Sequence, residues 1–369
     1  MEKDVSVVIC AYTEERWDDL LAAVTSVRMQ TQPPCEIIVV IDHCPSLLKR
    51  VRDQIPGVVT TENAEAPGLR GARNAGIAVA QGQLIAFLDD DAIAIPEWLE
   101  YLCEGYDDPH VLGTGGMVTP RWQEPKPGWF PEEFYWVVGC SYSGMPQGDA
   151  VIRNPIGANM SIKREVFEAV GDFHSQIEDI GTRHAGGCEE TELCIRARQH
   201  WPQGKFLYHP RANVFHRVPA SRATWSYFAK RCYVEGLAKA LVARHVGAKD
   251  GLSSERAYTL RILPLAIMRG LVDALMQRDV DGIGRAVAIV DGLSATTFGY
   301  VLGNMRLSAN RLKNIVVKRN SNTSPASGQG QVIAPTIVGV EFARAEESPS
   351  EVIAGSNGQK RFDPYDLKR

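Results

Sequence analysis

The chain has 369 residues, 44% hydrophobic and 23% charged, with a net charge of −4. That length buries a sizeable core in one large or two modest domains. The absence of a basic excess excludes a general nucleic-acid binder, which needs cations against phosphates. The eight cysteines show no CxxC pair and no metal-ligand rhythm. Cys10, Cys35, Cys103 and Cys194 lie in apolar or helical pattern and are expected to be reduced and buried. Cys188, beside Glu189, is the one expected near chemistry, with a structural role the plainer reading. Met1 to Asp4 lead straight into a strand, so the expectation is a chain without a signal peptide that folds in the cytoplasm.

Residues 5–12 (VSVVICAY) form a first apolar strand. Thr13-Glu14-Glu15 then opens a helix to about Met29, with Leu20, Leu21, Val24 and Val27 on one face. A second strand, 36–41, ends in Asp42; a helix at 47–54 and a short strand near 58–60 follow. The glycine-punctuated stretch 68–76 leads into a helix ending near Gly82. Residues 84–88 are apolar throughout, as in a strand buried on both faces, and stop at Asp89-Asp90-Asp91. Three adjacent carboxylates repel one another, and a divalent cation offsets that most readily. Oxygen ligands suit Mg²⁺ or Mn²⁺, which also grip phosphate. The plain alternative is an acidic turn capping the helix that starts near Pro96. The alternation of strand and helix predicts a parallel, doubly wound α/β sheet, with ligands gathering at Tyr12, Asp42 and 89–91.

Beyond this point the pattern is mixed. Residues 111–113 and 115–118 read as a short strand region. The Pro- and aromatic-rich run 122–136 is either a platform for sugar or lipid or a loop packed over the sheet. Residues 157–162 form a strand feeding a helix at 164–170. Gly186-Gly187-Cys188-Glu189-Glu190 precedes a helical pattern, which places both acids in a first turn favoured by the helix dipole. Segments 205–208 and 213–216 suggest two short strands, the second ending in His216. Residues 222–246 are helical, basic and aromatic, and 258–305 are helical and apolar. Residues 286–305 approach the length of a membrane span, but their glycines and threonines suit spanning poorly. Amphipathic helices lying on a membrane or against a partner, or a soluble helical pair, are the readings. From 320 the composition turns to Ser, Gly, Gln and Pro, as in a flexible tail, with a strand-like interlude at 336–340.

Five of these stretches, in order over roughly residues 4–245, resemble the family 2 glycosyltransferases with their GT-A fold. They are 7–14 (VVICAYTE), Asp42, 71–76 (GARNAG), 87–91 (FLDDD) and 189–196 (EETELCIR). The resemblance implies a Rossmann-like, mostly parallel sheet in residues 1–220, a C-terminal helical region in 221–319 and a tail in 320–369. It implies a hexosyltransferase-type enzyme that moves a sugar from a nucleoside diphosphate sugar, a UDP-sugar, to an acceptor hydroxyl with inversion. Glu190 would be the catalytic base. Ala11, Tyr12, Glu14, Asp42, Arg73, Asp89, Asp90, Glu189 and Arg222 would hold the donor. Asp91, Asp89 and His216 would bind Mg²⁺ or Mn²⁺.

The sequence departs from the family at Ile41-Asp42-His43-Cys44-Pro45, where two Asp followed by Gly-Ser are usual. It also has Glu190 where Asp is commoner. With no QxxRW signature and no string of strongly hydrophobic spans, single-sugar transfer is expected, to a glycan or lipid-linked acceptor. Peripheral contact with the inner face of the membrane is expected with it. The alternatives are a degenerate carbohydrate-binding or scaffold subunit and a sugar-1-phosphate nucleotidyltransferase. The latter would need a Gly-rich basic loop after the first strand, where 11–15 reads AYTEE.

Overall fold

The computed structural model describes residues 4–174, 188–247, 255 and 258–321, with side chains as far as 309. β1 (Val5–Ala11), β2 (Glu36–Ile41), β3 (Val59–Glu62) and β4 (Leu84–Asp89) run parallel in the order β3-β2-β1-β4. The inner strands read as unbroken apolar runs because both faces are covered. Val7, Ile9 and Val39 face α1 (Trp17–Arg28) and α2 (Pro45–Gln54), whereas Val8, Ile38 and Val40 face α3 (Leu69–Val79). Gly76 lets α3 settle onto the sheet, since a Cβ there would stand 2.5 Å from Val8 Cγ1. The first helix starts at Trp17 rather than Thr13, because Thr13 caps a separate turn at Glu14–Arg16 by accepting the Glu15 N–H. The register pairs Ala11 with Ile41 and Cys10 with Asp89, so the carboxyl ends of β1, β2 and β4 lie level.

The chain continues through β5 (Ala92–Ala94), α4 (Trp98–Glu104), β6 (Val111–Trp122), β7 (Ala150–Ile152), β8 (Asn159–Lys163), α5 (Arg164–Val170), α6 (Glu189–His200) and β9 (Lys205–Val218). The full order is β3-β2-β1-β4-β8-β6-β9-β5, with β7 also on β9. β8 is antiparallel to β4 and β6, so the sheet is mixed rather than wholly parallel, in keeping with the mostly parallel sheet that the resemblance implies. Two expected pairs of short segments are each one strand, β6 and the 14-residue β9. Pro210 and the register shift between Gly116 and Val118 mark an irregularity inside the β6–β9 pairing, which in sequence reads as a break. Gly116 permits it, because a Cβ there would collide with the Ala212 carbonyl. Asn159 ties the region together: it accepts the Trp98 indole N–H (2.7 Å) and donates to the carbonyls of Met117 (2.8 Å) and Ala212 (2.7 Å).

Among the described residues α7 (Trp225–Val246), α8 (Leu263–Met276) and α9 (Val280–Ser321) follow. Thr224 caps α7 by accepting the Tyr227 N–H, and Ala238, Val242 and Val246 pack against Cys188 and Ile195 of the α6 region. α9 lies along α7 at backbone distance, since a Cβ on Gly236 would strike the Thr296 carbonyl and one on Gly299 the Tyr233 carbonyl. The aromatic run is a packed loop. Phe130 and Phe134 are fully buried and meet Phe228 of α7 at ring-centroid distances of 5.4 and 5.3 Å. Residues Val280–Ala309 of α9 are long and apolar enough to cross a membrane by composition, yet one third of that window (33%) is buried in the fold. Cys35, expected in the core, is exposed because it precedes β2, with its thiol on the Val5 carbonyl at 3.2 Å. Gly186, Gly187 and the interlude at 336–340 lie outside the described residues.

Candidate active site

The level ends of β1, β2 and β4 open into a cavity of about 1500 Å³. On one side stand Tyr12, Asp42, the loop 66–71, Arg73 and Asp89. Asp42 is fixed by Asn63 Nδ2 at 2.6 Å and by the Gly68 N–H at 2.8 Å. Tyr12 is exposed, with the Arg16 guanidinium 5.1 Å from its ring centre. Arg73 is buried between the Phe87 and Phe173 rings, donates to the Gly157 carbonyl at 3.0 Å and lies 3.8 Å from Asp89. Gly157 is required there, because a Cβ would stand 2.6 Å from Arg73 Nη2.

Pairing of β5 with β9 sets Ala92 opposite His216 and thereby brings the imidazole onto the acidic run. His216 Nε2 is 3.1 Å from Asp91 Oδ1 and 3.8 Å from Asp89 Oδ2. One ligand atom from each of the three lies within 4.8 Å of the others. Two carboxylates and an imidazole at this spacing fit a divalent ion that accepts oxygen and nitrogen together. Burial disfavours the His216 imidazolium, but its hydrogen bonds to Asp91 and Cys140 and the charges of both together outweigh this and lift its pKa to about 10. Burial also opposes ionisation of Asp91, and the same bond, with the charges of His216 and Arg16, brings its pKa down to about 2. Asp90 turns away. Its Oδ1 accepts from Arg16 at 3.0 Å, its Oδ2 is buried without a partner, and burial beside Asp91 pushes its pKa up to about 7.

Glu189 and Glu190 open α6 and also line the cavity, after Cys188 in a left-handed conformation (φ 74°) that turns the chain into the helix. The Glu190 carboxyl makes no ion pair or hydrogen bond with a described side chain. Burial, and then the Glu189 charge, push its pKa up to about 7, with Arg73 pulling the other way. A carboxylate so placed can take a proton near neutral pH.

Other expected residues stand further off. Ala11 is buried at the end of β1, where its carbonyl accepts the Asp42 N–H at 2.8 Å. Glu14 turns toward Arg50, 3.6 Å away, and Arg222 is half-buried after β9, close enough to favour the ionised Asp91. Cys188 is not the one cysteine near the site, since Cys140 Sγ lies 3.9 Å from His216 Nδ1. Sequence reasoning missed Arg16, which grips Asp90 and Asp91, and the group Arg153, Arg231, Glu235, Lys239 and Glu255 lining the far end of the cavity. The spacing of Arg231, Glu235 and Lys239, four residues apart on one helix face, was the available signal.

The mixed, mostly parallel sheet with its flanking helices is GT-A-like. The chain belongs to glycosyl transferase family 2, whose profile matches residues 6–171. It is 32% identical over 304 residues to a glucosyl-dolichyl phosphate glucuronosyltransferase of Haloferax volcanii, covering 81% of this chain and 96% of that protein. It is also 22% identical to the succinoglycan biosynthesis protein ExoM of Rhizobium meliloti, over 63% of this chain and 72% of that one. Among solved structures, GalNAc-T7 with UDP, GalNAc and Mn²⁺ superimposes with a TM-score of 0.45 at 20% identity, over 64% of this chain and 48% of the other. That likeness is too distant to argue from.

Proposed function

We propose that this glycosyltransferase moves a sugar from a UDP-sugar to a hydroxyl of a lipid-linked sugar, with inversion. The observation that carries the reading is one cavity lined both by Asp89, which joins Asp91 and His216 in a ligand group, and by Glu190, whose carboxyl pairs with no described side chain. Tyr12, Asp42 and Arg73 bind the nucleotide half of the donor, with Asp42 held by Asn63 and Gly68 to receive the base. Asp89, Asp91 and His216 hold Mg²⁺ or Mn²⁺, which when bound neutralises the departing diphosphate. Arg73 adds a fixed cation on that side. Glu190 takes the proton of the acceptor hydroxyl as its oxygen attacks the anomeric carbon from the face opposite the diphosphate. Glu189 keeps the Glu190 proton affinity near the operating pH.

The acceptor class rests on two supports. The Haloferax volcanii relative is named for a glucosyl-dolichyl phosphate. The outer face of α8 and α9 is apolar and exposed, with Leu265 65%, Leu275 81% and Met276 79% accessible. Such a face fits peripheral docking on a membrane, with α9 held against α7 rather than spanning. A thermal-shift panel of nucleotides and nucleotide sugars, with and without Mn²⁺, tests the donor. UDP and one UDP-sugar should raise the midpoint only with the metal; a purine nucleotide doing so instead would overturn the reading.

A further inference from the structure

The same cavity has a second charged part, outside the residues assigned above to the donor. Arg231, Glu235 and Lys239 of α7 line it, with Arg153 and Glu255. Lys239 Nζ lies 3.3 Å from Glu235 and 2.5 Å from Glu255, and Arg153 holds Glu255 at 2.9 Å. The Cys188 thiol donates to Glu235 at 3.2 Å, so this end begins next to the α6 acids. Burial opposes ionisation of both carboxyls, but Lys239 with Arg231 holds Glu235 low, and Lys239 with Arg153 brings Glu255 to about 2. Both acids are therefore ionised and already matched by Lys239 and Arg153.

Among these five residues three cations face two carboxylates, and Arg231 is the cation held least closely. Its side chain is 27% exposed, it lines the cavity, and its nearest partner, Glu235, is 3.7 Å away, too far for a hydrogen bond. It makes no hydrogen bond with any described residue, and Glu189 on the base side is the next carboxylate it feels. A guanidinium carries five donors in a planar fork, and leaving them unmet in a partly buried position is costly. The fork matches a phosphate oxygen pair. The wall beside it is α9, where Leu293, Thr296 and Thr297 line the cavity while Phe298 and Val301, next along the helix, are exposed apolar residues. An anion at Arg231 therefore has an alkyl exit beside it.

We propose that Arg231, backed by Lys239, binds the phosphate of an alkyl-phosphate-linked acceptor and so sets the acceptor hydroxyl at Glu190. This rests on the lipid-linked acceptor proposed above. The test is calorimetric binding of dodecyl phosphate to the full chain saturated with UDP and Mn²⁺, with inorganic phosphate as comparator. Dodecyl phosphate should bind the UDP-loaded protein, and more tightly than inorganic phosphate. Arg231→Gln should weaken it about tenfold or more, as expected for losing charge-assisted hydrogen bonds, and Arg231→Lys should recover part of the loss. UDP affinity should stay native in both variants, which also reports that they are folded; if Arg231→Gln fails that check, Arg231→Lys carries the comparison. Unchanged dodecyl phosphate affinity in the folded variants would overturn the proposal. So would displacement of dodecyl phosphate by UDP, which would assign Arg231 to the donor, or equal affinity for inorganic phosphate. Failure of UDP itself to bind would instead overturn the proposed function.

Discussion

His216 Nε2 sits 3.1 Å from Asp91 Oδ1, although Asp91 lies in the turn between β4 and β5 and His216 near the end of β9. The antiparallel pairing of β5 with β9 makes that meeting, and Asp89 joins it within ligand distance. If the three residues hold the metal, His216→Ala and Asp91→Asn should each remove the Mn²⁺-dependent part of UDP affinity. The expected loss is at least about tenfold, since even outer partners of metal ligands cost that much. Calorimetry with and without Mn²⁺ checks it. Native metal dependence in His216→Ala would move the third ligand elsewhere.

Glu190→Gln should keep UDP affinity and lose at least about a hundredfold in turnover, the lower range for a missing general base. The pH dependence has a definite sign. A carboxyl pushed up to about 7 is protonated, and useless as a base, below that pH, so kcat should rise through about 7 and level off above it. Glu189→Gln removes a like charge and should shift that inflection to lower pH. An inflection unmoved in Glu189→Gln would mean that the titrating group is not Glu190.

Much of this site was legible because its carriers are local. Asp42 and Asp89 stand at the ends of strands whose apolar runs announce themselves, with Asp91 in the turn just after, and a level parallel register brings those ends together without further information. Glu190 follows from a helix start. What was not legible is non-local. Asp90 reads like its neighbours, but the turn after β4 directs it to Arg16, a residue from before α1. The pairing of β9 with β5, three residues long, is too short to announce itself. The basic face of α7 looked like a solvent or membrane surface, and only its packing against α6 turns Arg231 and Lys239 into the cavity.

Gly236→Ala should destabilise the fold by about 1–3 kcal/mol, the usual cost of forcing extra atoms into a packed contact. The added methyl would meet the Thr296 carbonyl, a backbone atom of α9 that cannot yield without moving the helix. A thermal melt reads the loss directly. An unchanged midpoint would show that α9 does not lie on α7, and would reopen α9 as a spanning helix.

The exposed face of α8 predicts membrane binding. The intact chain should float with anionic liposomes at low salt, and Leu275→Glu with Met276→Glu should reduce flotation severalfold, because each puts a charge where the acyl boundary would lie. Arg261 and Arg269 near this face would contribute about 1 kcal/mol each against anionic headgroups, so added salt should weaken binding. A chain that stays at the bottom at low salt would make a soluble acceptor the better reading.

Transfer of a sugar from UDP to a lipid-linked hydroxyl in this cavity needs Glu190 as the base. Release of UDP from a panel of UDP-sugars, measured with and without a polyprenyl phosphate-linked sugar, tests it most directly. One UDP-sugar should give acceptor-dependent UDP release that requires the metal and falls at least about a hundredfold in Glu190→Gln. Acceptor-dependent release at the native rate in Glu190→Gln, or none with any UDP-sugar, would contradict it.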